Sequence, residues 1–179
     1  MVARYHASQV VLHWISAVLV LFAWTIGAFV FERVAGSDRA AQLLALRAHM
    51  AAGLAFAFVI ALRLALRFAL EQPPRATSGN AKLDAAARTV HGALYAAALA
   101  MAASGLALAL STGLPPIVLG RSQAPIPTGI HDAPAHTIHA AIGVVLISLV
   151  AVHTLAALYH QFLRRDALLG RMWFRQGRS

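Results

Sequence analysis

Two histidines, His139 and His153, stand fourteen residues apart in a stretch, residues 133–163, that holds no Asp, Glu, Lys or Arg. At about 100° per residue, fourteen residues return to within about 40° of the starting direction and rise about 21 Å. A helix there presents both imidazoles on one face at two depths. Imidazole supports two kinds of chemistry: a neutral ring nitrogen ligates a metal, and a ring that titrates near neutral pH moves protons. One helix with two such rings can hold two stacked cofactors. The chain has nine histidines and no cysteine, which excludes disulfides, iron–sulfur clusters and thiolate ligation and leaves histidine as the plentiful metal ligand.

The elements around these rings are set by an unusually apolar composition. Of the 179 residues, 60% are hydrophobic and 12% charged, with a mean hydropathy of +0.69, which points to an integral membrane protein. Crossing a hydrocarbon core of about 30 Å takes about 20 helical residues. Four runs qualify, at residues 8–31, 43–70, 84–110 and 133–163. The first lacks a basic leader beyond Arg4 and is too long for a signal peptide, so it reads as a retained span. Between them lie connectors: 32–42 with Gly36, Ser37 and Asp38; 71–83 with Pro73, Pro74, Gly79 and Asn80; and the Pro- and Gly-rich 111–132. The expected fold is an all-α, integral membrane four-helix bundle forming one domain over residues 1–179, without a soluble domain or internal repeat.

Fifteen bases against six acids give a formal charge of +9. No motif interleaving aromatic and basic residues accompanies them, so nucleic acid is not the expected partner. The bases instead sort by side. Arg4, Arg63, Arg67, Arg75, Lys82, Arg88, Arg164, Arg165, Arg171, Arg175 and Arg178 fall on one side, and Arg33, Arg39, Arg47 and Arg121 on the other. Lys and Arg favour the cytoplasmic side, which predicts both termini there.

That topology gives each histidine a depth. His13 and His153 lie toward the cytoplasmic face, and His49 and His139 toward the outer face, so each pair can meet. Bis-imidazole ligation of haem iron needs one neutral nitrogen from each side of a flat macrocycle, which facing helices supply. The sequence therefore permits two haems, one near each face. Histidines that only bridge helices by hydrogen bonds, or ligate another metal, are the alternatives at this point. Zinc catalysis is disfavoured, because no H-E-x-x-H is present. A small residue follows each of the four histidines one turn later (Ala17, Gly53, Gly143, Ala157). Such residues leave room for a porphyrin, and equally for close helix packing.

The chain resembles the bacterial cytochrome b561 family of four-helix, di-haem membrane proteins. The resemblance is carried by Arg4-Tyr5, Gln9 through His13-Trp14, His49 with Gly53, Arg63-Leu64-Ala65-Leu66-Arg67, the last-span His139, His153 and His160, and Arg165-Asp166-Ala167-Leu168-Leu169. Within the family the nearest resemblance is to small stand-alone members that pass electrons from superoxide to ubiquinone. It implies two haem b groups, one ligated by His13 and His153 on the inner side and the other by His49 and His139 on the outer side, in the bacterial inner membrane. The segment Gly129-Ile130-His131-Asp132-Ala133-Pro134-Ala135-His136 departs from the family pattern.

The implied activity makes further demands. Iron with two axial histidines has no open position, so it relays single electrons. Oxidising superoxide to dioxygen removes one electron and breaks no bond. Arg33, Arg39, Arg47 and Arg121 can attract the anion on the outer side, with Arg47, two positions before His49, foremost; taken singly, each reads first as a solvated loop charge. Ubiquinone reduced near the cytoplasmic face needs proton donors, for which His160 and His91 are candidates, followed by Ser8 and Gln9. Arg63 and Arg67 can pair with haem propionates or with lipid headgroups. Trp14 and Trp173 read as interfacial anchors. His6, His131 and His136 read as solvent-facing, the last two with Asp132 able to bind a metal adventitiously. The alternative function is an electron-carrying membrane anchor for a dehydrogenase or hydrogenase, using the same four histidines. A non-redox helical scaffold is the third reading.

Overall fold

Each apolar run folds as a helix, because backbone removed from water has to satisfy its N–H and C=O groups within its own segment. The computed structural model describes residues 4–36, 38–74, 77, 79–166 and 168–174, and of Glu32 the backbone alone. Ser37, Arg75, Ala167, Arg175 and Arg178, which enter the sequence reading as connector, motif or basic residues, lie outside the described residues. The four long helices are α1 (Ala7–Val30), α2 (Arg39–Ala69), α3 (Ala81–Ser111) and α4 (Pro134–Arg164), each long and apolar enough to cross a membrane. No strand occurs among the described residues.

Caps, more than hydrophobicity, set where these helices begin. The Asp38 carboxylate accepts the Ala41 N–H at 2.9 Å, so α2 starts at Arg39, four positions ahead of its apolar run. The Asn80 side chain accepts the N–H groups of Lys82 (2.9 Å) and Leu83 (3.4 Å), so α3 starts at Ala81, three positions early. Both satisfy N–H groups that the first helical turn leaves unpaired. α1 passes through a π-helical turn, Ile26–Val30, into a further turn, Phe31–Val34.

The helices pack as two hairpins. α1 lies along α2 and α3 along α4, with α2 against α3 between them, while α1 and α4 make little close backbone contact. The core is Phe56 and Ile60 of α2, Ala98 of α3 and Leu146 of α4, flanked by Leu19, Val20, Tyr95, Met101 and Val150. Phe56 lies seven residues after His49, and Leu146 lies midway between His139 and His153, so this apolar layer separates the two histidine levels. Buried alanines (Ala45, Ala52, Ala98, Ala109) let the backbones approach, as expected where van der Waals packing rather than water expulsion joins helices. Leu54, Phe58, Leu106, Val144 and Leu155 point outward, where the surrounding solvent is lipid.

The 111–132 connector is more ordered than its Pro and Gly content suggests. Gly113, at φ 67, opens a short helix, Leu114–Val118, whose Leu114 and Ile117 are buried. Arg47 Nε donates to the Val118 carbonyl at 2.8 Å, and Arg39 donates to the Gln123 carbonyl, so two α2 arginines strap this segment down.

Candidate functional site

The hairpins bring the four histidines together as two pairs. His13 of α1 and His153 of α4 have ring centres 6.1 Å apart with planes at 71°. His49 of α2 and His139 of α4 have ring centres 6.2 Å apart with planes at 79°. Two imidazoles sharing one metal ion, each bonded at about 2.0–2.1 Å, place their ring centres roughly 6.3 Å apart. Both pairs match that separation.

The His49 and His139 rings are held by their Nδ1 atoms. His49 Nδ1–H donates to the Ala23 carbonyl at 2.9 Å. His139 Nδ1–H donates to Ser104 Oγ at 3.0 Å, and that hydroxyl donates to the Met101 carbonyl at 3.1 Å. Fixing the proton on Nδ1 leaves Nε2 as a lone-pair donor, the arrangement that orients metal-ligating histidines. Two glycines make room for these rings. A Cβ at Gly27 of α1 would lie 3.1 Å from His49 Cε1, and one at Gly105 of α3 would lie 2.9 Å from His139 Cε1. The Cβ direction of Gly53, one turn beyond His49, faces open space, whereas that of Gly143 meets Met101 at 3.5 Å.

The His13–His153 pair has different surroundings. Arg63 of α2 donates to Ser16 Oγ at 2.6 Å and to His13 Nδ1 at 3.1 Å, and its guanidinium lies 5.7 Å from the centre of the Tyr95 ring. A guanidinium only donates, so His13 Nδ1 accepts here. This is the one feature at odds with a ligating His13: a neutral imidazole that gives Nε2 to a metal holds its proton on Nδ1. Ligation therefore requires Arg63 to bond elsewhere. Among the described residues no carboxylate lies within ion-pair distance of Arg63. Arg67, one turn on and exposed, lies 5.9 Å from the same tyrosine ring.

The remaining candidates are placed as follows. His91 of α3 stacks edge-on to His153 at 5.2 Å, beside the His13–His153 pair. His160 lies one level beyond His153, half-buried, with its Nδ1 bonded to Asp166. Gln9 is buried; its Nε2 donates to Gln72 Oε1 at 3.3 Å and its Oε1 has no partner among the described residues. Ser8 bonds to His6, which is exposed and caps α1. Arg47 is exposed in the N-terminal part of α2, with Nε committed to Val118. Trp14 donates to the Met172 carbonyl at 2.8 Å and packs edge-on against Trp173. His131 and His136 lie 4.7 Å apart, and among the described residues no group of three or more His, Asp or Glu side chains is poised to hold a metal ion.

Sequence reasoning missed Gly27, Ser104, Gly105, Ser16 and Asp166. Ser104-Gly105 carried a usable signal, being a small polar and flexible pair inside an otherwise apolar span. Gly27 and Ser16 matter only through contacts between helices, and Asp166, which the sequence reading names only within the family motif, through the turn that closes α4.

Two opposed imidazoles are too few to build a metal site from side chains alone, but they complete the coordination of a planar macrocycle. A multi-pass helical membrane protein with two such pairs at two levels has the architecture of a membrane cytochrome b. The chain matches the family model of prokaryotic cytochrome b561 over residues 4–175, and it belongs to that family. It is thus a multi-pass membrane protein that binds haem b and transfers electrons. No curated protein matches the chain.

Proposed function

We propose that the protein is a superoxide:ubiquinone oxidoreductase of the bacterial inner membrane, with both termini cytoplasmic and two haem b groups, one held by His13 and His153 and the other by His49 and His139. The observation that carries the reading is the repetition of one ring separation, 6.1 and 6.2 Å, at two levels divided by the Phe56–Leu146 layer. When bound, the haems supply two one-electron couples across the membrane. Haem held by a histidine on each side would have no position left for oxygen to coordinate, so these histidines would restrict the chemistry to outer-sphere electron transfer.

The residues around the pairs have distinct roles in this reading. Arg63, with no acid partner among the described residues, would pair with a haem propionate, which would free Nδ1 of His13 to carry a proton. Arg67 adds a second cation at the same level or binds a lipid headgroup. Arg47, with Arg33, Arg39 and Arg121, makes the outer rim positive and raises the encounter rate of an anionic substrate. Two superoxide ions give up two electrons and leave as two dioxygen molecules. One ubiquinone takes up those electrons and two protons to become the quinol, with His160 and His91 as the proton-handling groups near the inner pair. The outer face supports superoxide by charge and the inner face supports ubiquinone by its histidines.

The test is rapid anaerobic mixing of the oxidised, purified holoprotein with superoxide while the low-spin haem bands are followed. Reduction of the haems, then re-oxidation on adding ubiquinone, is expected. Haems that stay oxidised refute the activity and leave the electron-carrying anchor for a dehydrogenase or hydrogenase partner. A colourless protein refutes both.

A further inference from the structure

α4 ends in an unusual way. After Tyr159 it widens into a π-helical turn, His160–Arg164, and Arg165 follows in the left-handed region at φ 53, a conformation uncommon outside glycine. The reversal folds Asp166 back beneath the helix. Its N–H donates to the His160 carbonyl at 3.4 Å, Oδ2 accepts from His160 Nδ1–H, and Oδ1 accepts the Leu168 N–H at 3.3 Å. Both side chains stay partly open to solvent, at 26% and 31% of their surface. Slight burial pulls the Asp166 carboxyl upward, but the hydrogen bonds from His160 and Leu168 and the Arg164 charge outweigh it and hold the carboxyl below its usual range. An ionised Asp166 thus accepts from Nδ1 and leaves Nε2 as the free working nitrogen of His160.

We propose that Asp166 is a positioning residue for proton delivery to quinone: it fixes the Nδ1–H tautomer of His160 and supports the imidazolium, so that Nε2 handles the transferred proton. The inference rests on the quinone reading given above. For each quinol formed, two electrons arrive singly and two protons are taken up. In the step assigned here, the Nε2–H bond of His160 breaks as one quinone O–H bond forms, and the ring then regains its proton from water. Asp166 stays ionised throughout, orienting the ring as a carboxylate orients a catalytic imidazole elsewhere. The other groups around His160 are Tyr159, whose ring is 5.8 Å away, Arg164 at the close of the same turn, and Arg171 of the following 3-10 turn, which is directed at the Pro74 carbonyl and the Tyr5 ring.

The experiment uses pre-reduced holoprotein mixed with a short-chain ubiquinone over a range of pH, with haem re-oxidation as the readout. Asp166→Asn should keep full haem content and unchanged bands, slow re-oxidation about tenfold or more, and move the alkaline fall-off of the rate to lower pH. Asp166→Glu should restore most of the rate. His160→Gln should be at least as slow, and the double variant no slower than His160→Gln. If Asp166→Asn shows the native rate and pH profile while His160→Gln is slow, Asp166 is only a helix stop; the proposal fails and the quinone reading stands. If His160→Gln is also native in rate, the quinone reading fails at this site as well. A double variant slower than either single one shows that Asp166 acts apart from His160 and overturns the proposal. Should Asp166→Asn lose haem, Asp166→Ser, which can still accept from the Leu168 N–H, carries the same comparison.

Discussion

A methyl group added at Gly105 would lie 2.9 Å from Cε1 and 3.4 Å from Nδ1 of His139. Nonbonded carbons rest at about 3.5–4.0 Å, so the imidazole has to retreat by roughly 0.6–1.1 Å. That exceeds the tolerance of about 0.5 Å within which a preorganised site works, and it disturbs the 3.0 Å bond to Ser104 that orients the ring. Overpacking of this kind costs about 1–3 kcal/mol, and losing the orientation of a ligating histidine costs about 10- to 100-fold in affinity. Alanine is about 1 kcal/mol better than glycine inside a helix, so α3 itself is not weakened. Gly105→Ala should therefore release the haem assigned to His49 and His139 while keeping the other. The control is Gly92→Ala on the same helix, where a Cβ meets nothing within 4 Å. The assay is haem per polypeptide after detergent extraction, with a redox titration of what remains. Full haem content and unaltered potentials in Gly105→Ala would refute both the contact and the assignment of His139 as a ligand.

Three other outcomes are expected. Arg63→Gln removes a cation from the inner pair, and since positive charge stabilises the reduced iron, one of the two potentials in a redox titration should fall while the other stays. Arg47→Gln should slow haem reduction by superoxide and flatten its dependence on ionic strength; because Arg47 also straps the Val118 carbonyl, protease cleavage within residues 118–123 should accelerate. The Asp166 carboxyl is held below its ordinary range, so whatever it contributes to the end of α4 is present above the unfolded value of about 3.9 and is lost as pH falls through the lower, folded value. Hydrogen exchange of the Leu168 amide should accordingly show no loss of protection from this group down to about pH 4.

Much of this organisation is legible in the sequence for a simple reason. In a bilayer, hydrophobic length marks out the spans and basic residues predict a direction for them, so each histidine acquires an expected depth before any contact is known. Depth alone pairs His13 with His153 and His49 with His139, and the fold brings those same rings together. The helix starts were less legible, since Asp38 and Asn80 extend α2 and α3 through caps that hydropathy does not register. The 111–132 connector was legible only as a connector, because its short helix depends on burying Leu114 and Ile117 and on the straps from Arg39 and Arg47.

By itself, then, the sequence determined the helical membrane fold and the levels at which imidazoles occur, because periodicity and apolar length are local properties of the chain. The tertiary structure decided what stands behind each imidazole: Ala23 and Gly27 at His49, Ser104 and Gly105 at His139, Arg63 at His13 and His91 at His153. It also decided that Asp166 turns back onto His160. All but the last of these join residues on different helices, and the last depends on a π turn and a left-handed Arg165. Such neighbours are fixed by how helices rotate and pack against one another, which spacing along a single helix does not encode.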